Sequence, residues 1–322
     1  TTTTTSSASG GAGGTGGTGG AAGGSGGAGG AGGEVELGGD RPVKMRISSK
    51  YDPAVPAPLL ILLHGYGASG LVQEDLYFKL AAVADERGYI YGVPDGTFDK
   101  SDPPNRFWNA TDACCNFYGS DVDDSAYLAG VVEQIQGQYN IDPKRIYFVG
   151  HSNGGFMSYR MACDHADQIA AIASLAGAMW MDLSKCAPSG PVSVLQIHGT
   201  SDTVIQYGGG TLPGADGPYP AATETASTWA AYNGCESASV ALDPFDGVDS
   251  LPGEETSGER YASGCGGTVS ELWTVAGAPH SPEINDTMRA RVIAFLVEAG
   301  DRVFTDGFET GSTFAWSATA DG

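Results

Sequence analysis

Gly150-His151-Ser152-Asn153-Gly154, with Gly155 behind it, interrupts the run "RIYFVGHSNGGFMSYRM" where strand-forming residues give way to helix formers. A serine hydroxyl is a weak nucleophile until a base takes its proton and something stabilises the resulting oxyanion. In a G-x-S-x-G elbow the serine sits on a tight strand-to-helix turn, and flanking glycines keep clear the space that larger side chains would fill. Strand before and helix after are both legible here, so Ser152 is the candidate nucleophile.

The base is found nearly by elimination, since the chain holds 5 histidines. His64 precedes the serine. His151 lies inside the elbow and cannot bend back to its neighbour. His165 follows on the next helix among charged residues and reads as solvated. His198 ends a strand as His-Gly and reads as a packing or loop-shaping residue. His280 falls between the last strand and the last helix, which suits the chain order serine, acid, histidine. The acid is expected after the preceding strand, and "VLQIHGTSDTVI" puts Asp202 there, to hold the imidazole tautomer and stabilise the imidazolium. Asp243 and Asp246 sit in a Pro/Gly-rich loop with no strand to aim them. For the oxyanion, one N–H is expected from Asn153 and a second from Tyr66 in "LLHGYGASG", where Gly65 and Gly67 let the backbone turn inward. The Tyr66 ring then flanks the acyl group.

The elements needed to bring these residues together can be read along the chain. "PLLILLHG" is a continuous apolar run, the pattern of a strand buried on both faces. "LYFKLAAVADERGY" follows with Leu76, Leu80 and Val83 at helical spacing, then the short strand "YIYGVPDG". Asp124 is expected to cap a helix burying Leu128, Val131 and Ile135. "RIYFVG", "AAIASLAGAMW", "VSVLQIHG" and "VSELWTVAG" supply further strands. "SPEINDTMRARVIAFL" is a last helix, with Ser281 expected as N-cap, Pro282 at the first helical position, and Ile284, Met288, Val292 and Phe295 on one stripe. Strands alternating with helices predict an α/β fold, a mostly parallel sheet flanked by helices, with the active residues at the carboxyl ends of the strands.

Composition sets the boundaries. Residues 1–39 are dominated by Thr, Gly, Ser and Ala and have little to bury, so a flexible tether is expected there. The folded domain is expected over 40–300, and the acidic, aromatic stretch 301–322 as an appended tail. The formal net charge of −22 argues against nucleic acid and against anionic membrane as partners. No apolar run approaches a membrane span. The chain starts at TTTTT without an initiator Met, so a targeting segment is expected to have been removed, with a lipid or module anchor upstream of the tether. The 6 cysteines show no metal-binding spacing and read as disulfides in an oxidising compartment. A bond between the adjacent Cys114 and Cys115 is disfavoured by its strain, so their partners are expected elsewhere. Cys163 and Cys186 are the nearest candidates in sequence, leaving Cys235 with Cys265.

"LLHGYGASG", "VDDSAYL", "YNIDPKRIYFVGHSNGGFMSYRMAC", "AAIASLAGAM", "IHGTSDTVI" and "WAAYNGC" together resemble the polyhydroxybutyrate-depolymerase-like serine esterases. That α/β-hydrolase group includes the feruloyl and acetyl-xylan esterases of carbohydrate esterase family 1. The likeness covers about residues 43–298. It implies a triad of Ser152, Asp202 and His280, a Cys235–Cys265 disulfide, secretion, and no cofactor. The chain departs from the group in two places. "GAPHSPEIND" runs straight into the last helix without the usual Trp-Pro-Gly, which shortens one wall of the cleft. Tyr66 and Ala68 also stand near positions where many members carry Cys and Gln.

Tyr66, with Trp180 at the end of the next strand, is similar to the aromatic clamp of cutinase-like polyester hydrolases. Trp108 is a further candidate for the cleft wall, or packs beneath the cysteines. The expected substrate is a polymeric or aromatic carboxylic ester: feruloyl, acetyl-xylan, polyhydroxybutyrate or another polyester. The alternative is a catalytically idle surface or binding module that keeps the fold.

Overall fold

The run Ala57–Leu63 forms strand β3, and every one of its 7 side chains is buried. Burial on both faces requires a layer on each side of the strand, and the topology supplies both. The computed structural model describes residues 35–308. Residues 1–34 and 309–322, and with them most of the expected tether and tail, lie outside the described residues.

Ten strands form one sheet. Its edge is β1 (Val35–Leu37) against β2 (Val43–Ile47), antiparallel, and β2 pairs antiparallel with β4 (Ile90–Val93). From β4 the sheet continues in parallel through β3, β7 (Ile141–His151), β8 (Ala171–Leu175), β9 (Ser193–Gly199) and β12 (Ser270–Val275). It closes antiparallel with β11 (Thr256–Tyr261) and β10 (Val240–Phe245). A separate small ribbon pairs β5 (Thr97–Phe98) with β6 (Arg106–Phe107).

The helices cover both faces. On one, α3 (Asp124–Gln138), α4 (Asn153–Asp164) and Trp229 of α5 (Ala222–Tyr232) close over Leu59, Ile61, Phe148 and Ile172. On the other, α2 (Ala81–Glu86) and α6 (Asp286–Phe308) close over Leu60, Leu62, Val149 and Leu195. The alternation of β3 side chains between the two clusters follows from the period of two in a strand.

Several boundaries differ from expectation. Strand β1 lies inside the stretch expected to be tether, because Leu37 is apolar enough to be buried against the sheet edge. Helix α6 runs past residue 300 to Phe308 and begins at Asp286, not at Ser281. Asn285 takes the capping role, its Oδ1 accepting from Met288 N–H at 3.1 Å, while the stripe Ile284, Met288, Val292 and Phe295 is buried as expected. Asp123 caps α3, and Asp124 is buried, accepting from Arg41 Nη1 at 2.5 Å and from Asn109 N–H at 2.7 Å. The expected helix over Leu76 and Leu80 is broken in two. A helical turn α1 (Gly70–Val72) widens into a π-helix over Gln73–Phe78 and stops at Lys79, where φ is 53°. This leaves Leu76 73% exposed.

The cysteines are all paired, as Cys163–Cys186, Cys235–Cys265 and Cys114–Cys115. The last pairing corrects the expectation that each of the adjacent cysteines finds a distant partner. Cys163 at the end of α4 stands 5.2 Å from Cys186, Cα to Cα, so those two satisfy one another.

Candidate active site

Ser152 follows the last residue of β7 directly, with φ 54° and ψ −120°. A non-glycine residue in that region stores about 1–3 kcal/mol of strain, held only because the surroundings over-determine it. Those surroundings are visible. A Cβ on Gly150 would strike the Gly154 carbonyl, and one on Gly154 would strike the carbonyls of Leu63 and His64. Both glycines of the motif are thus required by backbone contact, and Ser152 N–H is tied to Leu175 O at 2.8 Å.

Three strand ends converge on this turn. Ser152 leaves β7, Asp202 lies in the turn after β9, and His280 lies beyond β12, at the carboxyl edge of the parallel sheet. Ser152 Oγ stands 2.9 Å from His280 Nε2, and His280 Nδ1 stands 2.8 Å from Asp202 Oδ2. The carboxylate fixes the tautomer: Nδ1–H donates to Asp202, which leaves Nε2 as the acceptor of the Ser152 hydroxyl. Such a relay can take a proton from a hydroxyl as it attacks a carbonyl carbon.

Asp202 is held by more than His280. The N–H groups of Val204 and Ile205 donate to Oδ1 at 2.8 and 2.9 Å. Burial by itself would raise its pKa, but the hydrogen bonds from His198, His280 and Val204 N–H keep the carboxyl well below the usual carboxylate range. His198 is therefore more than the loop-shaping residue expected. Gln196 Nε2 donates to Gly177 O at 2.8 Å and lies 3.2 Å from His198 Nδ1, so that nitrogen accepts. Nε2–H of His198 then faces Ile205 O at 2.7 Å and Asp202 Oδ2 at 3.4 Å.

His151, set aside from the sequence because it cannot reach Ser152, meets His280 instead. Its Nε2 donates to the His280 carbonyl at 2.9 Å, and the two rings lie 4.9 Å apart. Burial first, then the neighbouring His280 imidazole, lower its pKa to about 4, so the ring is neutral near pH 7. Nothing in the local sequence signals either histidine, because both contacts join segments distant in the chain. His165 is not merely solvated, for its Nε2 lies 3.0 Å from Ser125 Oγ.

Of the two expected oxyanion donors, Asn153 directly follows Ser152 and Tyr66 lines the cavity onto which Ser152 opens. Asn153 opens α4, where an N–H has no acceptor within the helix. Around Tyr66, Gly67 N–H donates to Arg106 O and Ala68 N–H to Gly65 O, while Gly65 N–H is held by Gln73 Oε1 at 3.0 Å. The Tyr66 hydroxyl donates to Asp99, and burial together with that bond raises its pKa to about 12. Its ring meets Phe117 edge-on at 5.4 Å.

A cavity of about 350 Å³ opens on Ser152, lined by Tyr66, Val72, Leu76, Tyr77, His280 and Ser281 among others. Neither tryptophan proposed for its wall is there. Trp108 is wholly buried, its indole N–H donating to His64 O at 3.0 Å, and its own N–H and carbonyl bonded to the Asn153 side chain at 2.7 and 2.9 Å. Trp180 lies five residues beyond the end of β8, since that strand stops at Leu175, and it lines a different cavity. Among the described residues, no cluster of His, Cys, Asp or Glu is arranged to hold a metal ion. No described helix is long and apolar enough to cross a membrane.

Comparison with known proteins identifies the family and the class of reaction. Feruloyl esterase B of Piromyces equi is 30% identical over 247 residues, covering 75% of this chain and 42% of that protein. Feruloyl esterase D of Neurospora crassa is 28% identical over 260 residues, covering 77% of each. An acetyl xylan esterase from Aspergillus awamori shares the fold, with a TM-score of 0.57 at 16% identity over 84% of this chain and 100% of that one. Residues 44–212 match the family model described as Phospholipase/Carboxylesterase. The chain belongs to that family of α/β-hydrolases and is a carboxylic ester hydrolase.

Proposed function

We propose that Ser152, His280 and Asp202 form the catalytic triad of a secreted esterase that cleaves feruloyl or acetyl esters carried by extracellular polymers. The observation that carries this reading is the unbroken relay from Ser152 Oγ through His280 to Asp202, at 2.9 and 2.8 Å. Ser152 Oγ attacks the ester carbonyl carbon as its proton passes to His280 Nε2. The oxyanion is received by the N–H groups of Asn153 and Tyr66. Collapse breaks the bond to the alcohol oxygen, which leaves with the proton from His280. Water, deprotonated by the same imidazole, then releases the carboxylic acid and restores the Ser152 hydroxyl.

The substrate class is supported by the names of the relatives, feruloyl esterases and an acetyl xylan esterase. The apolar rim of the serine cavity, Val72, Leu76 and Tyr77, suits an aromatic or short acyl group. Secretion is supported by the three disulfides. Turnover of p-nitrophenyl acetate tests the mechanism: Ser152→Ala should abolish the turnover seen with the unaltered protein. Turnover that persists unchanged in the variant would reject the serine, and none in either protein would favour an idle module.

A further inference from the structure

We propose that Gln73 is a positioning residue for the ester reaction: its side-chain oxygen, with Asp99 as a second anchor, fixes the turn 65–67 and leaves the Tyr66 N–H free for the oxyanion. The proposal rests on the esterase reading above and adds to it two residues that act through the backbone of Tyr66.

The turn lies against Ser152, since a Cβ added to Gly65 would stand 3.5 Å from the Ser152 Cβ. Its N–H groups are engaged one after another, with a single gap. Gly65 N–H donates to Gln73 Oε1 at 3.0 Å, Gly67 N–H to Arg106 O at 2.8 Å and Ala68 N–H to Gly65 O at 3.1 Å. Among the described residues, Tyr66 N–H has no acceptor. A donor serves a developing oxyanion best when no protein acceptor competes for it and it need not reorganise during the reaction. The bonds on either side of Tyr66 meet both conditions. Of the three acceptors, Gln73 Oε1 alone belongs to a side chain.

Gln73 is itself held firmly. It is buried, begins the π-helix Gln73–Phe78, and donates its own N–H to Ser69 O at 2.9 Å. Such widened turns concentrate at functional sites. In front of it, Gly70 N–H donates to Asp95 Oδ1 at 2.8 Å, and a Cβ on Gly70 would strike the Val93 and Pro94 carbonyls. Behind it, the Glu74 carboxylate accepts from the Leu80 and Ala81 N–H groups at 3.0 and 2.8 Å and from the Tyr91 hydroxyl at 2.6 Å. Both flanks of Gln73 are thus fastened to β4 or to the residues just after it. Asp95 also meets Arg106 through Oδ2 at 3.3 Å, so the supports of Gly65 and Gly67 share one carboxylate. The second anchor is independent of these. The Tyr66 hydroxyl donates to Asp99, whose Oδ1 is set by the N–H groups of Ser101 and Asn105 at 2.9 and 3.0 Å.

Gln73→Met keeps the length of the side chain and removes the acceptor. With p-nitrophenyl acetate, kcat should fall about tenfold or more and KM should stay within about twofold, because a misplaced oxyanion donor is missed only in the transition state. A trifluoromethyl ketone, whose tetrahedral adduct with Ser152 carries an oxyanion, should lose affinity by the same factor as kcat/KM. Loss of fold stability alone would not link those two readings, and both variants are first shown to melt above the assay temperature. Tyr66→Phe keeps the ring and the backbone N–H and releases only the Asp99 anchor; the same linked losses, of about threefold or more, are expected. A Gln73→Met protein with kcat within about twofold, or with a fall in kcat unmatched by loss of the ketone, overturns the positioning role and leaves the esterase reading standing. Where that variant does not fold, unchanged kcat and ketone affinity in Tyr66→Phe overturn it. Absence of p-nitrophenyl acetate turnover in the unaltered protein would remove the esterase reading and this proposal with it.

Discussion

The His151 imidazole donates to the backbone carbonyl of His280 at 2.9 Å, and the two rings lie 4.9 Å apart. The residue before Ser152 thus holds the backbone of the histidine that faces Ser152. Replacing it by leucine removes the bond and leaves the His280 loop free to drift. We expect kcat for p-nitrophenyl acetate to fall about ten- to a hundredfold with KM little changed, since small displacements of a reacting group are costly. His151→Gln, which keeps a donor, should recover part of the loss. Equal kcat for the two variants would show that the bond positions nothing.

Asp202→Asn keeps the shape of the acid but can no longer stabilise an imidazolium. A loss of about 10³–10⁴ in kcat is expected, measured with the same ester. His198→Phe should cost far less, because Val204 and Ile205 still hold Oδ1 of the carboxylate.

Gly154→Ala places a methyl group against the carbonyls of Leu63 and His64. Backbone on both sides leaves little room to relax, so a destabilisation of at least about 1–3 kcal/mol is expected. Thermal melting reads this as a drop of roughly 2–4 °C per kcal/mol.

His64 links stability to pH. Its Nε2 accepts from Gly96 N–H at 2.9 Å and its Nδ1 meets Gly65 O at 2.8 Å, so the buried ring is neutral. Burial lowers its pKa to about 4. The unfolded chain, near 6.5, binds the proton first, so between those values stability falls as pH falls. This one residue should remove about 2–3 kcal/mol on going from about pH 7 to 4.5. Denaturant midpoints of the unaltered protein and His64→Gln at both pH values check it: the variant should show the shallower fall.

The disulfides divide by the chain they close. Cys163–Cys186 and Cys235–Cys265 span sequence separations of 23 and 30, and Cys114–Cys115 spans 1. Loop closure predicts about 3 kcal/mol for each of the long pairs and little for the adjacent one. Cys235→Ala/Cys265→Ala should therefore melt well below Cys114→Ala/Cys115→Ala.

The sequence by itself determined the elbow, the order serine, acid, histidine, and the alternation that makes a parallel sheet. These rest on local physics: glycines where backbone must touch backbone, apolar runs where a strand is covered twice, and strand ends that aim the residues just beyond them. What only the tertiary structure decided were contacts between distant segments. The indole of Trp108 went into the core because the His64 carbonyl accepts its N–H while the Asn153 side chain satisfies the Trp108 backbone, and Trp180 followed a loop out of the serine cavity because β8 ended early. Ser281 gave up its capping role to Asn285 and joined the cavity wall. The pairing of Cys114 with Cys115, and the reach of His151 and His198 to His280 and Asp202, depend on which strand ends meet across the sheet, and spacing along one chain carries no measure of that.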